Sequence, residues 1–581
     1  MQAFRRLLGS LIYCALLAGH LAAAPPDPLR LVPDQAELVV KVERPRHLVE
    51  AVTTLDLLKQ LQSFEPVRDL FETTNYRQFQ QLLGYFEKQL GAPWPVLFDR
   101  LGSGGAVLAV KYGTQPPPAL LIIQGDDEAA MKKFIQLALE VAEQELARRE
   151  VKDRLEKGSY RDLETVRLGK EFHAARAGSA LVISNNEKTL RQSLDLHLDG
   201  NKNSILQAKG LTAARQQLPA DPLAWAWLDM EKVRQLPGAK EVFFPEAQDP
   251  NVTILFGGLF NVLKRTPHVA AGLYRDQEGF TLTARAPGQR DDMGPGAPLF
   301  VPPAGQAGSR PLLEPKGVLL SSSYYFDISK FWELRDKLFT KEQVKGLEDF
   351  DNQSAKFLSG NRFSKLLMQA GAYQRVVVVN QANPGSYQTR PKQPLPAFAV
   401  VLELREAEPF ARSLETIVRG AGLLAGTQVK LKLLEEKEGD IDILGYRFDE
   451  KSPLQGDPQD LRFNFSPCIA RVGNQYVFCS TAELCHELIG LLQAEAKELE
   501  AKSSPLASRT KIYSAGGAQL LRAFEDPLIA QIVLDQGVSI AEARKQVNPF
   551  IEWVRTLGVL QIEEDYGAKE FRFDVRLRLG K

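Results

Sequence analysis

The stretch YVFCSTAELCHEL, Tyr476 to Leu488, places Cys479, Cys485 and His486 within eight positions. Thiolates and imidazoles are the ligands of zinc and of covalently held haem. Haem attachment requires Cys-x-x-Cys-His, whereas the spacing here is Cys-x5-Cys-His. A zinc site needs a fourth ligand and usually a second close pair, and the sequence supplies neither. A third residue, Cys468, lies upstream in the segment PCIARVGNQYVFCST (467–481), which reads as a hairpin closed by Gly473-Asn474. In that hairpin Val472 faces Gln475 and Cys468 faces Cys479. Directly opposed residues of a hydrogen-bonded pair have Cα atoms roughly 5.5 Å apart, within disulfide range. A Cys468–Cys479 disulfide is therefore expected if the chain meets an oxidising compartment, and it would be a strained cross-strand bridge. Cys485 is left as the spare thiol.

Other catalytic patterns are missing. His47, His173, His197, His268 and His486 stand in unlike contexts, with no His-Glu-x-x-His and no Gly-x-Ser-x-Gly elbow. Gly102 to Gly105 (GSGG) leads into a strand, so it reads as a tight turn and not as a phosphate cradle. EEKEGDID (435–442) and Asp291-Asp292 lack the order of a calcium loop. No catalytic, cofactor-binding or metal-binding residue is expected, and no cofactor. Lys plus Arg equals Asp plus Glu at 72 each, so no net field draws the chain to nucleic acid.

The elements that carry these residues occur twice. AVLAVKY (106–112) and PALLIIQG (118–125) precede a helix with Phe134, Ala138 and Val141 on one face. RVVVVNQ (375–381) and PAFAVVLEL (396–404) precede one with Phe410, Leu414 and Ile417, each 276 positions later. DLETVRL (162–168) matches DILGYRF (442–448). EFHAARAGSALVISN (171–185) matches the cysteine hairpin at a spacing of 296, with Ala177-Gly178 as its turn. The closing strands GFTLTAR (279–285) and EFRFDVR (570–576) match at 291. Subtracting 296 from Cys468, Cys479 and Cys485 gives Phe172, Ile183 and Thr189, so the sister copy builds the same elements without sulfur and the cysteines read as structural.

The fold class this implies is α+β, two tandem copies of a largely antiparallel sheet with helices packed on one face. The first copy spans 29–285 and the second 316–581. The Gly/Pro-rich stretch 286–315 between them has neither helical nor strand period and reads as a linker. Trp225 and Trp227 alternate in one strand and share a face, either in the core or lining a groove.

Residues 1–24 have a basic start, an apolar stretch and small residues, the order of a secretory signal peptide, with Ala22-x-Ala24 as cleavage site. Pro25 just after that site leaves two outcomes open, a cleaved signal or a single anchor. The expected location is periplasmic or secreted, with membrane contact only through that segment if it stays uncleaved.

LRLVPDQAELVVKVERPRHL (29–48), DLETVRL and FHAARAGSALVISNNEKTLRQSL together resemble a group of exported bacterial proteins built around a domain of unknown function. The resemblance covers most of the mature chain and implies architecture and export, with no catalytic residue to carry over. The second copy departs at its start, where LLEPKGVLLSSSYYFDISKF lacks the Pro-Asp pair. The function expected from the whole is a non-enzymatic scaffold or binding protein of the cell envelope, whose partner is an envelope protein. The alternative is a carrier holding an apolar ligand between sheet and helices, motivated by Trp225, Trp227 and the apolar segment 252–263. A hydrolase with an unrecognised site is the third.

Overall fold

The computed structural model describes residues 25–54, 74–148, 154–200, 202–243, 249–381, 385–425, 429–496, 498 and 503–580. The N-terminal segment through Ala24, with its cleavage motif, lies outside the described residues. The described residues form two compact units, 25–49 with those of 78–209, and 50–54 and 74–77 with those of 210–580.

The first unit contains β1 (Leu38–Val42), β2 (Gly105–Val110), β3 (Ala119–Gln124), β4 (Leu155–Tyr160), β5 (Leu163–Leu168), β6 (Phe172–Ala177) and β7 (Ala180–Ser184), with helices α1 (Glu128–Arg148) and α2 (Glu187–Asp199). The strands pair antiparallel in the order β1-β2-β3-β7-β6-β5-β4.

The second unit contains β8 (Ala224–Asp229), β9 (His268–Arg275), β10 (Gly279–Pro287), β11 (Val318–Tyr325), β12 (Ala370–Val379), β13 (Ala397–Leu404) and β14 (Leu431–Glu438). It continues with β15 (Ile441–Phe448), β16 (Cys468–Val472), β17 (Gln475–Cys479), β18 (Ser508–Tyr513), β19 (Val559–Tyr566) and β20 (Glu570–Arg578). Its helices include α3 (Pro250–Leu263), α4 (Ala407–Ala425) and α5 (Ala482–Glu495). The order is β8-β9-β10-β20-β19-β18-β11-β12-β13-β17-β16-β15-β14, antiparallel throughout. Within it β11-β12-β13-β17-β16-β15-β14 repeats the order of the first unit, and β18-β19-β20 repeats β8-β9-β10. The fold is α+β, built from two tandem copies of an open antiparallel sheet.

Alternation along β13 explains how helices find the sheet. Ala397, Ala399 and Val401 are buried on one face, beneath the α5 stripe of Cys485, Leu488, Ile489 and Leu492. Leu402 and Leu404 point the other way, toward Phe410, Leu414 and Val418 of α4. Thr481 caps α5 by accepting from the Leu484 amide, and Asn186 caps α2 by accepting from the Thr189 amide.

The copies meet where β10 pairs β20. Phe280 and Phe571 hold equivalent places 291 positions apart, and the β9–β10 and β19–β20 ladders share that spacing, Arg285 opposite Ala270 and Arg576 opposite Gln561. At the same spacing Thr283 is equivalent to Asp574, and those two residues face each other directly across β10 and β20. The rung is therefore a local two-fold axis relating the closing strands. The buried Asp574 carboxylate accepts from Thr283 Oγ1, from Arg285 Nη1 at 2.9 Å and from Arg576 Nη2 at 3.0 Å. Arg285 and Arg576 are themselves equivalent.

Two expectations are corrected. The first-copy hairpin turns at Gly178-Ser179, between Ala177 and Ala180, and not at Ala177-Gly178. Gly178 (φ 63°) and Gly473 (φ 62°) both take the first turn position, where the left-handed region favours glycine. The spacing is thus 295, as the caps Asn186 and Thr481 also show, and the sister residues of Cys468, Cys479 and Cys485 are His173, Ser184 and Leu190. The second correction concerns 286–315, which packs into the second unit as an ordered strap. Met293, Leu299 and Leu313 are buried, Ser309 bridges to Ser504, and Tyr373 Oη donates to the Ala307 carbonyl at 2.8 Å. Arg310 grips Glu403 with two hydrogen bonds of 2.8 and 3.0 Å, with its guanidinium 4.1 Å from the Tyr373 ring centroid. The high Gly and Pro content sets bends, while a few apolar residues anchor the path.

Candidate functional site

The cysteine hairpin forms in the expected register, with Cys468 directly opposite Cys479, but the expected disulfide does not form. Cys468, Cys479 and Cys485 are free, buried thiols. The pair occupies a hydrogen-bonded rung, where a bridge would be strained. Cys468 Sγ instead points to the Thr481 carbonyl at 3.6 Å. Burial pushes the Cys479 thiol up, which keeps it protonated and inert.

His486 faces away from that core. Its Nδ1 lies 2.7 Å from Glu438 Oε2 and its Nε2 2.9 Å from Glu436 Oε2, both on β14. Burial opposes the charged ring, but the two carboxylates outweigh it and raise its pKa above 6.5. A raised histidine contributes stability that is fully present below about pH 6.5 and lost as pH climbs through the folded-state value. The stability difference between wild type and His486→Gln is accordingly expected to be larger at pH 5.5 than at pH 9, measured by urea unfolding. An equal difference at both would show that the clamp does not titrate with the fold. Among the described residues no group of three His, Cys, Asp or Glu is placed to hold a metal ion.

Trp225 and Trp227 are 4% and 2% exposed and belong to the core. Helix α3 buries Val262 and Thr253 and leaves Val252, Phe256 and Leu259 exposed along one side. The remaining histidines are dispersed: His173 contacts the Lys170 carbonyl, His197 contacts Arg30, and His268 contacts Gln217.

The prominent feature is one face of the second sheet. Opposed residues of an antiparallel ladder project to the same side. A single rung can be followed from Leu282 through Val575, Ile562, Thr510, Ser322, Val376, Val400, Phe478 and Ile469 to Leu444. Its two hydroxyls, Ser322 and Thr510, satisfy each other at 2.8 Å. Along this face Leu282, Phe573, Ile512 and Phe398 are each 39–50% exposed. Apolar side chains of this size in one contiguous patch mark a binding surface more often than an ordinary exterior.

At the β13-β17-β16-β15 end the face passes beneath α4. Helix and sheet there enclose a cleft of about 580 Å³, lined by Phe398, Val400, Val418, Ala421, Tyr446, Phe448, Phe465 and Phe478 among others. Among the described residues no charged side chain lines it. Ser480 Oγ accepts from the Phe398 amide and Tyr446 Oη donates to the Arg419 carbonyl, so its hydroxyls are already engaged. Gly422 lets α4 approach, because a Cβ there would fall 1.9 Å from the Tyr446 ring. The volume lies in the range of small-molecule sites, and the lining has the apolar, aromatic character typical of them. The sequence pointed to a groove at Trp225 and Trp227; the aromatic residues that form one are spread over β13, β15, β17 and the segment before β16, and only the repeated sheet-then-helix order hinted at them.

No family model matches the chain, and no curated protein matches it. Among solved structures, crystal form III of TP0453 is similar over 45% of this chain and 80% of that one, at 8% identity and a TM-score of 0.23, a likeness too slight to assign a fold. Among the described residues no helix is long and apolar enough to cross a membrane.

Proposed function

We propose that the protein is a non-enzymatic, exported binding protein of the periplasm or cell exterior that holds an apolar small molecule in the cleft between α4 and the sheet. The observation that supports this reading is a charge-free cleft of about 580 Å³ continuous with an apolar sheet face. A site lined by apolar and aromatic side chains, with no charged group among the described residues, selects ligands whose buried part is uncharged and largely apolar. The N-terminal segment supports export on sequence grounds.

The test uses a neutral fluorescent polyene as probe. Wild type is expected to take it up, and Val400→Trp, which fills the cleft, should lower affinity at least about tenfold, ~1.4 kcal/mol, with the thermal midpoint unchanged. Equal uptake by the two proteins would refute the site. Native mass spectrometry of protein purified from its own host should find a retained small molecule.

A scaffold that binds an envelope protein is the second reading. It is favoured by the exposed stripe Val252, Phe256 and Leu259 on α3, and Phe256→Asp would then abolish co-purification of a partner while sparing probe uptake.

A further inference from the structure

On β10, β20, β19, β18, β11, β12 and β13 the apolar face carries hydrocarbon, aromatic and small polar residues, with one charged exception among the described residues, Glu564 of β19. Glu564 stands two positions from Ile562 on the same strand, hence on the same face. It faces Ser508 on one side and Phe573 on the other, with Tyr324 next beyond Ser508 and Tyr566 two residues along. It is half-buried and, among the described residues, makes no hydrogen bond or ion pair with another side chain, unlike Asp574 on the opposite face with its two arginines. Burial against these neighbours raises its carboxyl pKa. A carboxylate kept in apolar surroundings without a partner costs stability and has no structural return within the chain.

We infer that Glu564 is the anchor for the cationic head of an amphiphile, a long-chain primary amine, whose hydrocarbon part runs along the sheet to the cleft beneath α4. The inference rests on the binding reading above and adds the ligand class. Charge complementarity argues for an amine: an ammonium placed there would restore to Glu564 the counter-charge that the fold withholds. Geometry agrees. From β19 to β13 the path crosses β18, β11 and β12, four strand spacings or about 19 Å, the reach of an extended alkyl chain, and its rungs are Ile562, Thr510, Ser322, Val376 and Val400. An anionic head would meet the carboxylate as a like charge, so fatty acids are disfavoured.

The experiment displaces the neutral polyene probe from the full chain with hexadecylamine or with hexadecanoic acid, whose extended chains match that span. Wild type is expected to release the probe at amine concentrations at least tenfold below those of the acid. Glu564→Gln should bring the two within threefold while leaving probe affinity unchanged, which also shows that the variant folds. Glu564→Lys should reverse the order. Equal displacement by amine and acid in wild type, or a preference that survives Glu564→Gln, overturns the inference while the cleft stands. Failure of wild type to bind the probe at all overturns both.

Discussion

Replacement of Glu495 by alanine is expected to destabilise the protein by about 3–5 kcal/mol, read as a fall in urea midpoint at unchanged slope. Glu495 is the last residue of α5, where a negative charge opposes the helix dipole and gains nothing from the helix itself. Its partner explains its presence. Arg375 of β12 is 2% exposed, and its Nη1 lies 2.8 and 3.0 Å from the two carboxylate oxygens of Glu495. The same nitrogen donates to the Pro311 carbonyl of the strap at 3.2 Å, and Nη2 donates to Gln475 Oε1 on β17. Burial pulls the Arg375 pKa down despite the carboxylate. Removing Glu495 would leave a guanidinium in the core with neutral acceptors only. Glu495→Gln should fall between wild type and alanine, and the double change Arg375→Met with Glu495→Leu should recover most of the loss, because a buried pair is commonly no better than apolar residues of its size. A loss below 1 kcal/mol for the alanine variant would mean that water already reaches Arg375.

Asp574→Ala is expected to have a loss of similar size, about 3–5 kcal/mol, for a related reason with a different geometry. The carboxylate, 4% exposed, is shared by Arg285 and Arg576 and accepts from Thr283. Its removal would leave Arg285, 11% exposed, without its partner. Thr283→Val removes one hydrogen bond to a charged acceptor and should cost about 1.5–3 kcal/mol. Calorimetric and urea measurements on both variants check the ranking. If Thr283→Val proved the more damaging, the carboxylate would not be what holds β10 to β20.

The collinear order of strands and helices could be read from the sequence because each copy served as a template for the other, and the matched closing strands at 291 are the ones that pair. The hairpin was misplaced by one residue because Ala177, Gly178 and Ser179 all suit a turn, and only the backbone shows which position takes positive φ. The strap escaped notice because composition averaged over thirty residues conceals Met293, Leu299 and Leu313, which dock it. The cleft was illegible for a deeper reason. Val400 and Phe478 alternate as core residues do, and whether a face is covered or open depends on where distant helices settle. Glu564 shows the converse: one acid in EEDY draws no attention until its strand is placed against Phe573 and Ser508.

On a two-fold axis made by two separate identical chains, the residue at the centre must confront its own copy. An aspartate there would face an aspartate, two like charges in a dry ladder, and a threonine would face a threonine with no charge to gather the arginines. Threonine opposite aspartate is therefore open only to copies joined in one polypeptide and free to diverge, so the central rung is a chemical advantage that fusion made available and that no homodimeric ancestor could have used.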